Sequence, residues 1–183
     1  MPSKQWDALF ERATLQHGYV TSRDAADLGL RRGYLGELHA AGTLEKVAYG
    51  LYRFPQIPTT RLTPFMEAVL WAGEGAVLSH DAVLSMHELV YANPRVLRVS
   101  TPRRVRKSGP PVAVEIIRRE LDPADLTVHE GIPCTTVARA LRDCHGLIMP
   151  SRLIEAAHEA RDQGLVRRRE MEALLEDLGD VDG

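Results

Sequence analysis

The sequence predicts an α+β protein, and three features carry that prediction. Roughly the first sixty residues pass from helical to alternating hydrophobic spacing, a stretch rich in proline and threonine follows, and the remainder mixes short apolar strands with amphipathic helices. At 183 residues, 44% hydrophobic and 26% charged, the composition is that of an ordinary globular chain. Its longest apolar runs fall short of the roughly 18 residues of a bilayer span, and "MPSKQWDALF" lacks the basic-then-apolar build of a secretory leader, so a cytoplasmic protein with no membrane partner is expected. Cys134 and Cys144 have no C-x-x-C partner, which points to free thiols rather than a disulfide or zinc framework.

The first helix runs from a cap at Ser3 to about Gln16, because Trp6, Leu9, Phe10 and Ala13 recur at helical spacing. In "VTSRDAADLGL", Thr21 or Ser22 can cap a second helix with Ala25, Ala26 and Leu28 facing inward and Gly29 ending it. "RRGYLGELHAAG" forms a third, with Tyr34, Leu35, Leu38 and Ala41 on one stripe, Arg31 and Arg32 at its start, and Gly42 as its stop. Gly33 and Gly36 each cost such a helix about 1 kcal/mol relative to alanine. They either allow close backbone approach to a partner or mark a weak helix. The alternation then changes to "TLEKV", a turn at "AYG" and "LYRF", which reads as an antiparallel hairpin.

Two helices joined at a glycine corner form a helix-turn-helix, whose second helix reaches base edges in the major groove with its N-terminal residues. The hairpin that follows is then a wing. This gives a candidate DNA-contacting set of Arg31, Arg32, Tyr34 and His39 on the third helix and Lys46, Tyr49 and Arg53 on the hairpin. A winged helix that docks a protein fits the same pattern, with the acidic C-terminal helices taking a basic partner.

"PQIPTTRLTP" breaks both periodicities and sets a domain boundary, giving a winged helix over residues 1–58 and a mixed α/β domain over 59–183. In the second part, Thr63 and Pro64 open a helix carrying Phe65, Val69, Leu70 and Trp71. A further helix from Ser79 buries Ala82, Val83, Met86 and Val90. "RVLRVST", "VAVEIIR" and "LTVHEGIPCTT" read as strands, the last as two strands about Glu130-Gly131. Thr135 or Thr136 caps "VARALRDC", and two more helices, near 151–162 and 168–178, part at Gly164.

The net charge of −2 conceals an asymmetry: residues 1–62 carry +2, residues 63–119 carry +3 and residues 120–183 carry −7. Within the middle part, Arg95, Arg98, Arg103, Arg104, Arg106 and Lys107 form a basic flap with no acidic residue among them, suited to DNA phosphates, RNA or an acidic partner.

The catalytic motifs are absent. None of the three lysines has a carboxylate two residues before it, as a metal-dependent nuclease of the PD-(D/E)-x-K kind needs. There is no Gly-Ser dipeptide for a nucleotidyltransferase, no glycine-rich phosphate loop, no H-E-x-x-H and no G-x-S-x-G. His80 and His87 lie seven residues apart, too far for neighbouring helical turns to share an ion, and "DCHG" points its groups apart. A non-enzymatic protein without cofactor or metal is expected.

The order of a winged helix ending in "GLYRFP", then "VLSHDAVLSMHEL", a basic strand-loop-strand and "GIPCTTVARALRDC" resembles the AbiEi family of antitoxins and transcriptional repressors of type IV toxin-antitoxin systems. The resemblance covers nearly the whole chain. It implies a winged helix that binds the operon's own promoter, usually at inverted repeats and so with two copies on DNA. It also implies that 59–183 is an antitoxin domain acting against a nucleotidyltransferase-like toxin. The family's "T-x-x-R-T-L-x-D" stretch is met by Thr136, Arg139, Leu141 and Asp143, with Ala140 in place of the second threonine.

Overall fold

The structure, a computed structural model, describes residues 4–89 and 94–179, the last two by backbone alone. The expected cap Ser3 and core residue Val90 lie outside the described residues. The chain divides into two compact units, Met1–Glu74 with Val105–Val112, and Gly75–Arg104 with Ala113–Gly183. The first therefore extends past the proline-rich stretch to include the next helix and a later loop.

The first unit comprises α1 (Lys4–Leu15), β1 (Tyr19–Thr21), α2 (Ser22–Asp27), α3 (Tyr34–Ala40), β2 (Glu45–Ala48), β3 (Leu51–Arg53) and α4 (Thr63–Ala72). Its strands make an antiparallel sheet in the order β1-β3-β2. Three helices and a two-stranded wing are the winged-helix arrangement that the hydrophobic spacing predicts. β1 is the addition: three residues are too few to display an alternation, yet β1 pairs along β3 and makes it the central strand. Leu9, Ala13, Val20, Ala25, Leu30, Leu35, Leu44 and Phe54 form the core. Trp6 and Phe10 meet Phe54 edge-on, with ring centroids 5.2 and 5.3 Å away.

Cross-strand pairing sorts the sheet's two faces. Val20 pairs with Tyr52 and Lys46 with Tyr52, so these three share the face that meets the helical core. Tyr19 and Glu45 pair with Arg53, and Thr21 with Leu51, on the opposite face. There the Tyr19 hydroxyl donates to Glu67 of α4, and burial together with that carboxylate pushes the phenol well above its ordinary pKa.

Some local expectations shift. Ala26 is exposed, since α2 is short and turns only Asp24 and Ala25 fully inward. Ala41 is the exposed C-terminal cap of α3 rather than part of its inner stripe. Thr63 lies inside α4, accepting from the Thr60 amide at 2.8 Å, while Leu62 holds the cap position.

The second unit comprises β4 (Val77–Leu78), α5 (Asp81–Met86), β5 (Leu97–Thr101), β6 (Val114–Arg118), a 3₁₀ turn (Pro123–Asp125), β7 (Leu126–His129), β8 (Ile132–Thr135), α6 (Val137–Asp143), α7 (Pro150–Asp162) and α8 (Arg168–Gly179). The sheet runs β6-β5-β4-β8-β7, with β5–β6 and β4–β8 parallel and the other pairs antiparallel. The expected helix start at Ser79 is displaced: Val77 and Leu78 form a strand, and His80, at φ 57°, caps α5.

Thr136 caps α6 as expected, accepting from the Arg139 amide at 3.2 Å. One step inward, Asp143 receives both ends of the Arg119 guanidinium and Nε of Arg139 at 2.9 Å, and Arg139 reaches Asp125 at 2.8 Å. Arg119 Nε donates to Ser100 at 2.9 Å, and the Ser100 hydroxyl donates to Ser79 at the same separation. The "LSHDAV" and "TTVARALRD" segments are thus joined through β5 and β6. Ala140 is fully buried, where a threonine hydroxyl would need a partner, and α6 is continuous across it. Both cysteines are free and buried, and burial pushes the Cys134 thiol up to about 11 and the Cys144 thiol up to about 12.

Candidate nucleic-acid interface

The site is built on the turn between α2 and α3. Thr21 and Asp24 form a capping box at the start of α2, the Thr21 hydroxyl accepting from the Asp24 amide at 3.1 Å and Asp24 Oδ2 accepting from the Thr21 amide at 2.8 Å. Arg12 of α1 donates to the same carboxylate at 2.8 Å, fixing α2 against α1. The Ser22 amide donates to the Gly50 carbonyl at 2.9 Å, so the wing turn rests on the first residue of α2.

Arg31 and Arg32 were expected on the first turn of the third helix; they lie instead on the turn before it. Gly33, at φ 90°, is in the left-handed region and caps α3, which starts only at Tyr34. Both arginines are exposed. Arg31 donates from Nη1 and Nη2 to the two carboxylate oxygens of Glu37, and that pairing holds the Glu37 carboxyl below the usual carboxylate range. Arg32 makes no side-chain hydrogen bond or ion pair among the described residues. Arg31, Arg32, Tyr34, Tyr49 and Tyr52 line one hollow of about 470 Å³, with Ser22 at its edge.

The wing residues separate. Tyr49 stands at the turn with 81% of its surface exposed. Lys46 is exposed on the face it shares with Tyr52, which lines the hollow. Arg53 is not brought to this group. It faces the opposite side, its side chain is 13% exposed, it pairs with Glu45 at 3.5 Å, and Nη2 donates to the Ile57 carbonyl at 2.5 Å. The period of two along β3 decides this, since Tyr52 and Arg53 must point to opposite faces. His39 is exposed on α3, with Nδ1 2.9 Å from the Leu44 carbonyl and its ring 6.3 Å from that of Tyr52. Two members of the group were not singled out in the sequence: Tyr52, which the pairing with Lys46 would have indicated, and Glu37, whose reach back to Arg31 depends on the Gly33 turn.

The basic flap also divides. Arg98 is structural, bonded to Asp81 at 2.7 Å and to Glu115 at 3.0 Å. Lys107 donates to the Trp71 carbonyl near the end of α4 at 3.0 Å, and burial pulls its pKa down. Arg95, Arg103, Arg104 and Arg106 are exposed. The last three lie on the connection from β5 to β6, which is long because parallel strands need a crossover of about a dozen residues.

Among the described residues, no group of three or more His, Cys, Asp or Glu side chains is placed to hold a metal. His80 Nδ1 lies 2.9 Å from the Ser79 hydroxyl, and the His87 ring packs 4.2 Å from that of His129. No helix among the described residues is long and apolar enough to cross a membrane.

Residues 7–55, from α1 through β3, match the family described as "Transcriptional regulator, AbiEi antitoxin". The family suggested by the order of motifs is therefore the one matched at the winged helix; it is a regulatory family and not one of enzymes. Among solved structures, the chain is similar to the RV2827C protein from Mycobacterium tuberculosis, at 14% identity and a TM-score of 0.41, over 96% of this chain and 82% of that one. No curated protein matches the chain.

Proposed function

Because the winged helix carries the AbiEi regulator match, we propose that the protein is an autoregulatory repressor that binds its own promoter through the α2–α3 turn and the wing. The observation that supports this best is the hollow lined by Arg31, Arg32, Tyr34 and Tyr49, with Lys46 on the adjoining sheet face. Among the described residues, Arg32, Lys46 and Tyr49 make no side-chain hydrogen bond or ion pair that would have to break before they met DNA. Arg31 and Arg32 approach base edges; Lys46 and Tyr49 hold the backbone beside them. Arg106, on the part of the crossover that belongs to the same unit, adds a further exposed cation. Arg53 supports the wing from behind, through its ion pair with Glu45 and its hydrogen bond to the Ile57 carbonyl. Two copies occupy inverted half-sites.

The second unit acts as the antitoxin against a nucleotidyltransferase-like toxin encoded nearby. The order of the C-terminal motifs supports that role; the family description names an antitoxin, with its match over residues 7–55 of the first unit.

Binding to a duplex carrying the upstream region, measured over a salt series, tests the first part. Lys46→Ala is expected to lower the salt slope by about 1 unit, and Arg31→Ala and Arg32→Ala each to cost about 1 to 3 kcal/mol with relaxed preference at one position. Wild-type protein that retains no duplex at low salt would leave the winged helix as a protein-docking module. Co-expression with the neighbouring toxin tests the second part: rescue of growth by residues 75–183 together with the loop they carry is expected, and rescue by the first unit alone would overturn it.

A further inference from the structure

We propose that Glu37 is a positioning residue which presents one edge of the Arg31 guanidinium to a guanine in the major groove; this rests on the DNA-binding reading above. Arg31 sits on a turn, outside any helix, where no helical packing limits its rotamers. Glu37, on the first turn of α3, reaches back to it end-on, one carboxylate oxygen on Nη1 and the other on Nη2. A guanidinium has five N–H donors in a rigid plane. An end-on carboxylate takes the inner pair, which leaves Nε–H and the outer Nη2–H parallel along a second edge. Among the described residues Nε of Arg31 has no acceptor. Two parallel donors on that edge match the O6 and N7 acceptors of guanine, the commonest bidentate contact of arginine with DNA.

The pair is exposed, with 64% of the Arg31 side chain and 54% of the Glu37 side chain accessible, so it adds little to stability. Its consequence is different. It fixes a long side chain before the base arrives, so less rotamer freedom is lost on contact.

The test uses the full chain and a pool of duplexes with a randomised core, comparing wild type, Arg31→Ala, Glu37→Ala, Glu37→Gln and the double alanine variant. Wild type is expected to select guanine at one position. Glu37→Ala should lose about tenfold of that preference, Glu37→Gln less, and the double variant no more than Arg31→Ala alone. The salt slope should stay within about one unit of wild type in both Glu37 variants, because no phosphate contact is removed. Glu37→Ala protein that binds all sequences more tightly with its guanine preference intact would overturn the proposal, showing that Glu37 only repels phosphate. Wild type that binds DNA but shows no guanine preference sensitive to Arg31→Ala would also overturn it while leaving the DNA-binding reading intact. No binding at all would remove both.

Discussion

Asp24 is only 6% exposed, yet it sits among groups that favour its charged form. Burial works to raise its pKa, but hydrogen bonds from Thr21, Gln16 and Arg12 outweigh it and hold the carboxyl below the ordinary value. A folded-state value below the unfolded one, about 3.9, means that the contribution to stability is fully present above that pH and is lost as pH falls through the folded-state value. Asp24→Ala removes an α2 cap and the partner of Arg12, and should cost about 2 kcal/mol near neutral pH. Urea unfolding at about pH 7 and about pH 3 should show the gap between wild type and variant narrowing at the lower pH, and a gap independent of pH would contradict the assignment. Asp143 follows the same logic in the second unit, where burial is outweighed by Arg119 and Arg139.

At the scale of elements, two glycines respond in opposite directions to substitution. Gly50, at φ 69°, carries the wing turn, and a Cβ there would meet the Ser22 Oγ at 3.2 Å. Gly50→Ala should cost about 1 kcal/mol or more and displace Tyr49. Gly36 lies within α3, with nothing within 4 Å of an added Cβ. Gly36→Ala should therefore stabilise the fold by about 0.5 to 1 kcal/mol. If α3 approaches DNA by its backbone at that point, the same substitution weakens duplex binding while raising the thermal midpoint. Midpoints moving in the same direction for both variants would refute this account. The helices, hairpin and basic crossover were legible because each is long enough to show its period or its composition. β1 and β4, of three and two residues, were not, and without β1 and α4 the buried character of the face that carries Arg53 did not show. Arg53 pairs with Tyr19 and so shares the face that α4 meets through Glu67. Arg31 and Arg32 were misplaced by two or three residues because the pattern does not say whether Gly33 continues a helix or turns into one.

Over the whole molecule, charge and chain order do not follow the compact units. The winged helix ends at β3 in sequence pattern and in family match, yet its unit continues to Glu74 and takes in Val105–Val112. The sheet explains the extension. Its face bearing Tyr19, Leu51 and Arg53 includes two residues exposed by only 2% and 1%, Tyr19 and Leu51, and α4 meets Tyr19 there through Glu67. A fragment of residues 1–58 would lose that cover, and exposing one leucine-sized side chain alone costs about 2 kcal/mol. A fragment of residues 1–74 keeps α4 with its Tyr19–Glu67 contact and lacks the Lys107 bond to the Trp71 carbonyl, worth about 1 kcal/mol. Thermal unfolding followed by circular dichroism should therefore show a cooperative transition for 1–74 and a lower, broader one for 1–58. Equal midpoints for the two fragments would show that the winged helix is complete at the proline-rich stretch and that α4 contributes nothing to it.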